Sequence, residues 1–347
     1  MEGKMKAARL HKIGEKLRID YVEVPKVGQY DVLVAIKASG ICHSDINYKY
    51  GIAPVAKLPI TLGHEIAGEI VEVGSRVEDI KIGDRVSIHY ILSCGDCPAC
   101  VNGRENLCEK YQMIGKDVDG GFAEYIKVPY RNVLKLPEAI PFEQGAIMGC
   151  AVSTAFHALK RGKVSVGETV VIYGVGGVGM QALQLAAKIF GAGKVIAVDI
   201  SDEKLKMAKK LGADEIVNAS EVKVVDRIKE ITNGRLVDAV FEFIGLRTTI
   251  EEAIECVGKG GRMVVVGVCP ENITISPYKK LIGKEMELIG VNDHLKSEMT
   301  QLIKLVSTGK ITLSESITHR VSLEEVNYGM EILEKRLENP IRVVITQ

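Results

Sequence analysis

Apolar and polar positions follow two different rhythms along this chain. In the first 150 residues the apolar runs are short and alternate with polar positions, as in Asp31-Val-Leu-Val-Ala-Ile-Lys37 and Gly68-Glu-Ile-Val-Glu-Val-Gly74. Period-two alternation makes strands with one wetted face, and Gly83-Asp84 and Pro129 supply turn residues between the runs. This part is expected to form a compact β-barrel-like domain with long functional loops.

After Val164 the rhythm changes. Strands are predicted at Thr169–Tyr173, Val195–Val198, Glu215–Val217, Val237–Phe243, Arg262–Val266 and Met286–Gly290. Helical spacing lies between most of them, for example at Met180–Ile189, Asp202–Leu211 and Thr248–Val257. Such alternation predicts an α/β unit with a parallel sheet covered on both faces, and six strands match a dinucleotide-binding fold. The tail predicts helices at Lys296–Ser307 and Leu323–Leu337 and a last strand at Ile341–Thr346, with Ser322 and Glu325 at capping-box spacing.

Composition narrows the partners. A length of 347 residues suggests about two domains with cores of their own. Lys and Arg total 45 against 45 Asp and Glu, so the charge footprint of a nucleic-acid or anionic-membrane binder is missing. The uncharged stretch Val170–Ala187 is eighteen residues long but carries four glycines near its start, which suits strand, turn and helix better than a membrane span. Residues 1–30 are charged throughout and lack the apolar core of a signal peptide, so a cytoplasmic, reducing setting is expected.

Gly174-Val-Gly176-Gly177-Val178-Gly179 follows an apolar strand and opens a helix. The first glycine permits a tight turn, the second lets backbone approach a pyrophosphate, and the third allows close packing of helix on strand. The helix N-terminus offers free N–H groups to an anion. Asp199 stands twenty residues after Gly179, at the end of the next strand. A carboxylate there accepts hydrogen bonds from a ribose and repels a 2′-phosphate, which favours NAD over NADP.

The eight cysteines are unevenly spread. Cys94, Cys97, Cys100 and Cys108 fall within fifteen positions, and four thiolates in one loop suit a closed tetrahedral Zn2+ site with a structural role. An iron–sulfur cluster uses the same donors, and spacing does not separate the two. A catalytic Zn2+ keeps one position open and draws three ligands from separate parts of a chain. Candidates are Cys42 in Gly40-Ile-Cys-His-Ser-Asp45, His64 in Gly63-His-Glu65, and Cys150 in Gly149-Cys-Ala151. Each alone is more often a buried thiol or core histidine. Cys256 and Cys269, flanked by apolar residues, keep that plainer reading.

Taken in order, Cys42-His43-Ser44-Asp45, Gly63-His64-Glu65, the four-cysteine lobe, Asp119-Gly-Gly-Phe122-Ala-Glu124 and Gly174–Gly179 make the chain resemble the zinc-dependent alcohol dehydrogenases of the medium-chain dehydrogenase/reductase family over essentially its whole length. The resemblance implies a GroES-like catalytic domain of residues 1–149 and 286–347, carrying both zinc sites, interrupted by a Rossmann domain of residues 150–285. It implies Cys42, His64 and Cys150 as ligands of a catalytic zinc, with Glu65 behind the metal, Asp45 orienting His64, and Ser44 taking the alcohol proton. It places His43 and Arg342 at the pyrophosphate, Lys204 at the adenosine ribose and Val268 among the cofactor contacts. Tyr90, Met113 and Ile114, on either side of the cysteine lobe, are expected to line an apolar substrate pocket.

These expectations amount to two Zn2+ per subunit and reversible, NAD-linked oxidation of a small primary or secondary alcohol to an aldehyde or ketone. Cys at position 150 points to alcohol dehydrogenases, because polyol and threonine relatives commonly place Glu there. The competing readings are a dehydrogenase of a polyol, amino-alcohol or other hydroxylated metabolite, and a noncatalytic zinc- and dinucleotide-binding sensor. Many relatives carry a proton-relaying His five positions after the first Cys ligand. Here Asn47 stands there, so the proton is expected to leave Ser44 by a path without it. A homo-oligomer, tetramer before dimer, is expected by the same resemblance.

Overall fold

The computed structural model describes residues 3–347. It divides the chain into two compact units, one of residues up to Ser153 together with Leu295–Gln347, the other Thr154–His294.

The second unit is built on six parallel strands in the order Glu215–Asn218, Lys194–Asp199, Thr169–Tyr173, Val237–Glu242, Val257–Val265, Glu287–Gly290. The unit runs to His294, beyond the expected residue 285, because Glu287–Gly290 pairs in parallel with Val257–Val265 and closes that sheet. Val170, Val171, Ile172, Val195, Ile196 and Val198 are fully buried, as strands covered on both faces require. Strand order reverses at Thr169–Tyr173, which pairs with Lys194–Asp199 on one side and Val237–Glu242 on the other. Such a reversal opens a crevice at the carboxyl ends of the strands, where ligands of open α/β sheets bind. The helix Asp202–Leu211 shows how local chemistry sets bounds: the Ser201 side chain accepts the Lys204 N–H at its start, and Gly212 ends it at φ 127°.

In the first unit a seven-stranded sheet runs Val133–Lys135, Arg85–Ile88, Glu65–Val73, Asp31–Ile41, Arg342–Thr346, Ile317–Val321, with Tyr125–Pro129 also paired to Asp31–Ile41. A three-stranded sheet joins Arg18–Glu23, Lys4–Leu10 and Ile60–Thr61. The last strand of the chain inserts antiparallel to Asp31–Ile41, with Val343 opposite Ile41, and parallel to Ile317–Val321. Between the sheets lies an apolar core that includes Leu10, Val34, Ile66, Ile88 and Phe122. The tail helix is shorter than its periodicity predicts, Val326–Glu334 in place of Leu323–Leu337. Ser322 donates both its N–H and its hydroxyl to Glu325, which makes a turn ahead of the helix, and Arg336 at φ 54° stops it.

Candidate functional site

Sheet register assembles the dispersed residues. Cys42 follows the strand Asp31–Ile41 and caps the short helix His43–Lys49, and Glu65 lies opposite Gly40. His64 precedes the strand Glu65–Val73, after Gly63 at φ +91°, while Cys150 sits in the wide helical turn Met148–Val152. One donor atom each from Cys42, His64, Glu65 and Cys150 falls within 4.8 Å of the others, and all four residues are buried. A side chain at Gly40 would collide with the Glu65 carboxylate, so the absence of a Cβ there makes room for the cluster.

Asp45 organises one side of it. Its carboxylate accepts the Cys42 N–H at 2.8 Å and the Gly63 N–H at 3.1 Å, and its Oδ1 lies 3.5 Å from His64 Nδ1. Tyr90 meets the His64 ring edge-on, with centroids 5.1 Å apart, and Ser44 Oγ is 3.8 Å from Cys42 Sγ.

Without a cation the two thiols compete for ionisation. Cys42 is held well below the usual thiol range, chiefly by a hydrogen bond from Cys150 and then by His64, while the same contact drives Cys150 well above it. Burial disfavours a charged His64, yet Asp45 and Cys42 hold its pKa well above the ordinary histidine value. His64 Nδ1 faces Asp45, whereas His64 Nε2 and Glu65 Oε1 have no hydrogen-bond partner among the described residues. Buried polar atoms are rarely left so. Two thiols and an imidazole with an orphaned nitrogen are the donors a borderline cation such as Zn2+ takes, and a cation would let both thiols ionise together. The residues therefore fit a zinc ion.

Arg342, expected at a pyrophosphate, is 3 % exposed and donates to Glu65 Oε2. Burial nevertheless pushes the Glu65 carboxyl up to about 7 against the pull of that guanidinium. The pairing was not legible in the sequence, since it depends on the last strand inserting beside Asp31–Ile41. Met113 and Ile114 are buried like Tyr90; Met113 accepts the Tyr48 hydroxyl at 3.2 Å, and Ile114 N–H donates to the Tyr90 carbonyl at 3.0 Å. His43 is exposed.

The four cysteines of the lobe also bring their sulfurs within 4.8 Å of one another, and no disulfide joins any of the eight cysteines. Cys94 Sγ stands 3.5 Å from Cys108 Sγ and 3.9 Å from Cys100 Sγ. Backbone N–H groups of Cys94 and Lys110 both point at Cys108 Sγ at 3.3 Å. Hydrogen bonds from the backbone of Glu109 and Cys100 bring the Cys97 thiol down to about 6, whereas Asp96 drives Cys94 up to about 12. From Cys94 to Cys108 only Cys97, Asn106 and Cys108 are buried, so the loop has almost no apolar core. Glu105 ties it to the helix Lys296–Ser307 by accepting the Lys296 N–H at 2.7 Å.

In the second unit Gly174 turns at φ +89°, and Gly179 packs so closely under the Gly174 carbonyl that a side chain would collide with it. A Cβ on Gly176 would meet nothing within 4 Å, which leaves open space over the loop for a ligand. Gly177 and Val178 complete the turn, and the helix Gly179–Lys188 runs from it. Asp199 braces the loop: Oδ2 accepts the Val175 N–H at 2.9 Å, and Oδ1 accepts those of Ile200 and Ser201 at 2.8 and 3.1 Å. Lys204 lies in the first turn of the next helix, and Val268 is 65 % exposed.

Comparison with known proteins agrees with this geometry. Residues 28–138 match the alcohol dehydrogenase GroES-like domain, and residues 177–308 match the zinc-binding dehydrogenase domain. An alcohol dehydrogenase of Geobacillus stearothermophilus is 38% identical over 345 residues, 98% of this chain and 99% of the relative. A sorbitol dehydrogenase of Bacillus subtilis is 36% identical over 94% of this chain and 93% of its own. The crystal structure of the alcohol dehydrogenase from Aeropyrum pernix superposes with a TM-score of 0.90 at 35% identity, covering 99% of this chain and 100% of that one. Among the described residues no helix is long and apolar enough to cross a membrane.

Proposed function

The chain belongs to the zinc-binding alcohol dehydrogenase family of medium-chain dehydrogenases, and within it we propose an NAD-linked enzyme that reversibly oxidises primary or secondary alcohols to aldehydes or ketones. The observation that carries this reading is the convergence of Cys42, His64 and Cys150, with an orphaned Nε2 on the buried imidazole. When bound there, Zn2+ supplies a Lewis acid to the substrate oxygen and NAD+ supplies the hydride acceptor.

The chain's own groups do the rest. Asp45 fixes the orientation of His64, and its two backbone hydrogen bonds hold Cys42 and Gly63 to the same carboxylate. Ser44, beside Cys42, takes the alcohol proton. Glu65 is a fourth donor in reserve, with Arg342 offsetting its charge. Tyr90, Met113 and Ile114 give the surroundings an apolar character, which discriminates substrates by only about 1–3 kcal/mol per methylene. The four-cysteine lobe holds a second, structural zinc. Its thiols and all others are unpaired by disulfides, which fits a reducing cytoplasm. Subunits associate as a homo-oligomer, with the tetramer favoured; Leu288, 42 % exposed on the edge strand Glu287–Gly290, suits association through that edge.

Metal analysis combined with a spectrophotometric panel of alcohols and polyols, each with NAD and NADP, tests the reading. Two zinc ions per chain and alcohol-dependent NADH formation are expected. Preference for a polyol would move the enzyme toward its sorbitol dehydrogenase relative, and dinucleotide binding without turnover would leave a sensor. Asp199→Gly is expected to lower the NAD-over-NADP preference by about tenfold or more, since a carboxylate opposes a 2′-phosphate. An unchanged ratio would contradict the ribose role.

A further inference from the structure

Glu242 ends a strand that is buried except at Asp238, at the carboxyl edge of the parallel sheet, and is itself 0 % exposed. A charged residue there is costly unless it is used. Oε1 accepts three hydrogen bonds, from Ile244 N–H at 2.9 Å, Gly245 N–H at 2.9 Å and the Thr249 hydroxyl at 2.8 Å. The Glu242 carbonyl accepts the N–H groups of Val266 and Gly267, both at 3.0 Å. One residue thus holds the turn after its own strand and the turn after the next.

Those turns are pressed together. Gly245 has φ +81°, and a Cβ on it would stand 2.5 Å from the Val268 carbonyl. A Cβ on Gly267 would stand 2.8 Å from Glu242 Oε2, an oxygen with no partner among the described residues. Ile244 in turn covers Gly174, where a Cβ would come within 2.5 Å of it. Loops 243–246 and 266–268 at the switch point therefore rest on the Glu242 side chain and backbone, loop 174–179 is reached through Ile244, and exposed Val268 is presented on 266–268. Burial raises the Glu242 pKa, which is the expected sign for a carboxyl enclosed by backbone with no cation beside it.

We propose that Glu242 is a positioning residue for the dinucleotide: its buried carboxyl sets the turns that carry Ile244 and Val268 against the glycine loop and so shapes the wall on which the cofactor lies. The proposal rests on the reading of the glycine loop and Val268 as a dinucleotide site. Glu242 acts through backbone and touches no reacting atom, so its loss should cost cofactor affinity and leave the chemical step alone.

The test is a fluorescence titration with NADH, together with steady-state kinetics, on the full zinc-loaded chain and its Glu242→Ala, Glu242→Gln and Thr249→Val variants. Glu242→Ala is expected to raise the NADH Kd and the KM for NAD by about tenfold or more, with kcat at saturating cofactor and the KM for alcohol within about twofold. Glu242→Gln keeps an acceptor at Oε1 and should restore most of the affinity. If Glu242→Ala does not fold, Thr249→Val, which removes one of three donors at a half-exposed position, should still raise the NADH Kd by about twofold to fivefold. Wild-type binding matched by Glu242→Ala, or by Thr249→Val where the first is unfolded, would overturn the proposal alone. A wild-type chain that binds no dinucleotide would overturn the reading beneath it as well.

Discussion

The two sulfur-bearing clusters look alike by donor count and differ in how they are made. In each, four potential ligand atoms lie within 4.8 Å. The lobe takes all four from Cys94–Cys108, a single loop with two of its sulfur residues partly exposed. The other cluster takes Cys42, His64, Glu65 and Cys150 from three separate segments, all buried. Closing a fifteen-residue loop costs little chain entropy, but the loop buries almost nothing apolar, so under the proposed reading its order rests on a bound ion. The dispersed set is held by strand register, by Asp45 and by the core around it, with or without an ion. If both clusters hold zinc as proposed, the difference separates an ion that makes structure from one that structure is made for.

Removing one thiol from the dispersed set should expose that difference most sharply. Cys42→Ala deletes a ligand while leaving the register of Asp31–Ile41 and Glu65–Val73 intact. The expected result is a fall in turnover of about a thousandfold or more, the scale of losing several kcal/mol of Lewis-acid stabilisation. Zinc content should drop by about one ion per chain, with NADH affinity and melting temperature nearly unchanged. If the chain instead unfolds while retaining normal turnover per folded molecule, the assignments of the two clusters would be reversed.

The same contrast explains what could be read from the sequence. Cys94-x-x-Cys97-x-x-Cys100 and Gly174–Gly179 are local, and their spacing alone carries the geometry. Strand and helix alternation after Val164 likewise follows from periodicity, and all six expected strands lie in one parallel sheet. Cys42, His64 and Cys150 could be grouped only through a family resemblance, because no short-range pattern tells that Gly40 pairs with Glu65. The partner of Arg342 was hidden for a similar reason: its strand lies more than two hundred residues from Glu65 and must insert beside Asp31–Ile41 before the two can meet. Glu242 falls inside the predicted strand Val237–Phe243, where nothing in the local pattern singles it out. Only the packing of Gly245 against Val268 shows it enclosed.

Loss of a lobe thiol should act on stability. Cys97→Ser keeps size but replaces a ligand whose thiolate is favoured by the backbone of Glu109 and Cys100. The expected outcome is loss of about one zinc ion and a melting temperature lower by about 5 °C or more, since a structural ion's binding energy is folding energy. Turnover of the folded enzyme well below that temperature should stay within about threefold. An unchanged melting curve would mean that Glu105–Lys296 and the neighbouring backbone contacts order the lobe without metal.

The smallest effect concerns the metal-free chain, where the lobe's thiols should ionise in sequence. Cys97, brought down to about 6, is mostly thiolate at neutral pH, while Cys94, pushed up to about 12, stays protonated. Thiolate is the reactive form, so iodoacetamide at pH 7 after chelation should label Cys97 about tenfold faster than Cys94, although Cys97 is the more buried of the two. Lowering the pH through 6 returns the proton to Cys97 and should slow its labelling progressively; the same protonation disfavours metal, so acid should empty the lobe. Cys42 is also shifted toward thiolate and is as little exposed as Cys97, but it packs into the apolar core whereas Cys97 lies in a loop with almost none, so Cys42 should label slowly at every pH tested. Mass spectrometry of the alkylated peptides separates the three sites. Equal labelling of Cys42 and Cys97 would show that packing into the core does not distinguish the clusters, and the contrast between a loop that opens without its ion and a site enclosed by the core would fail.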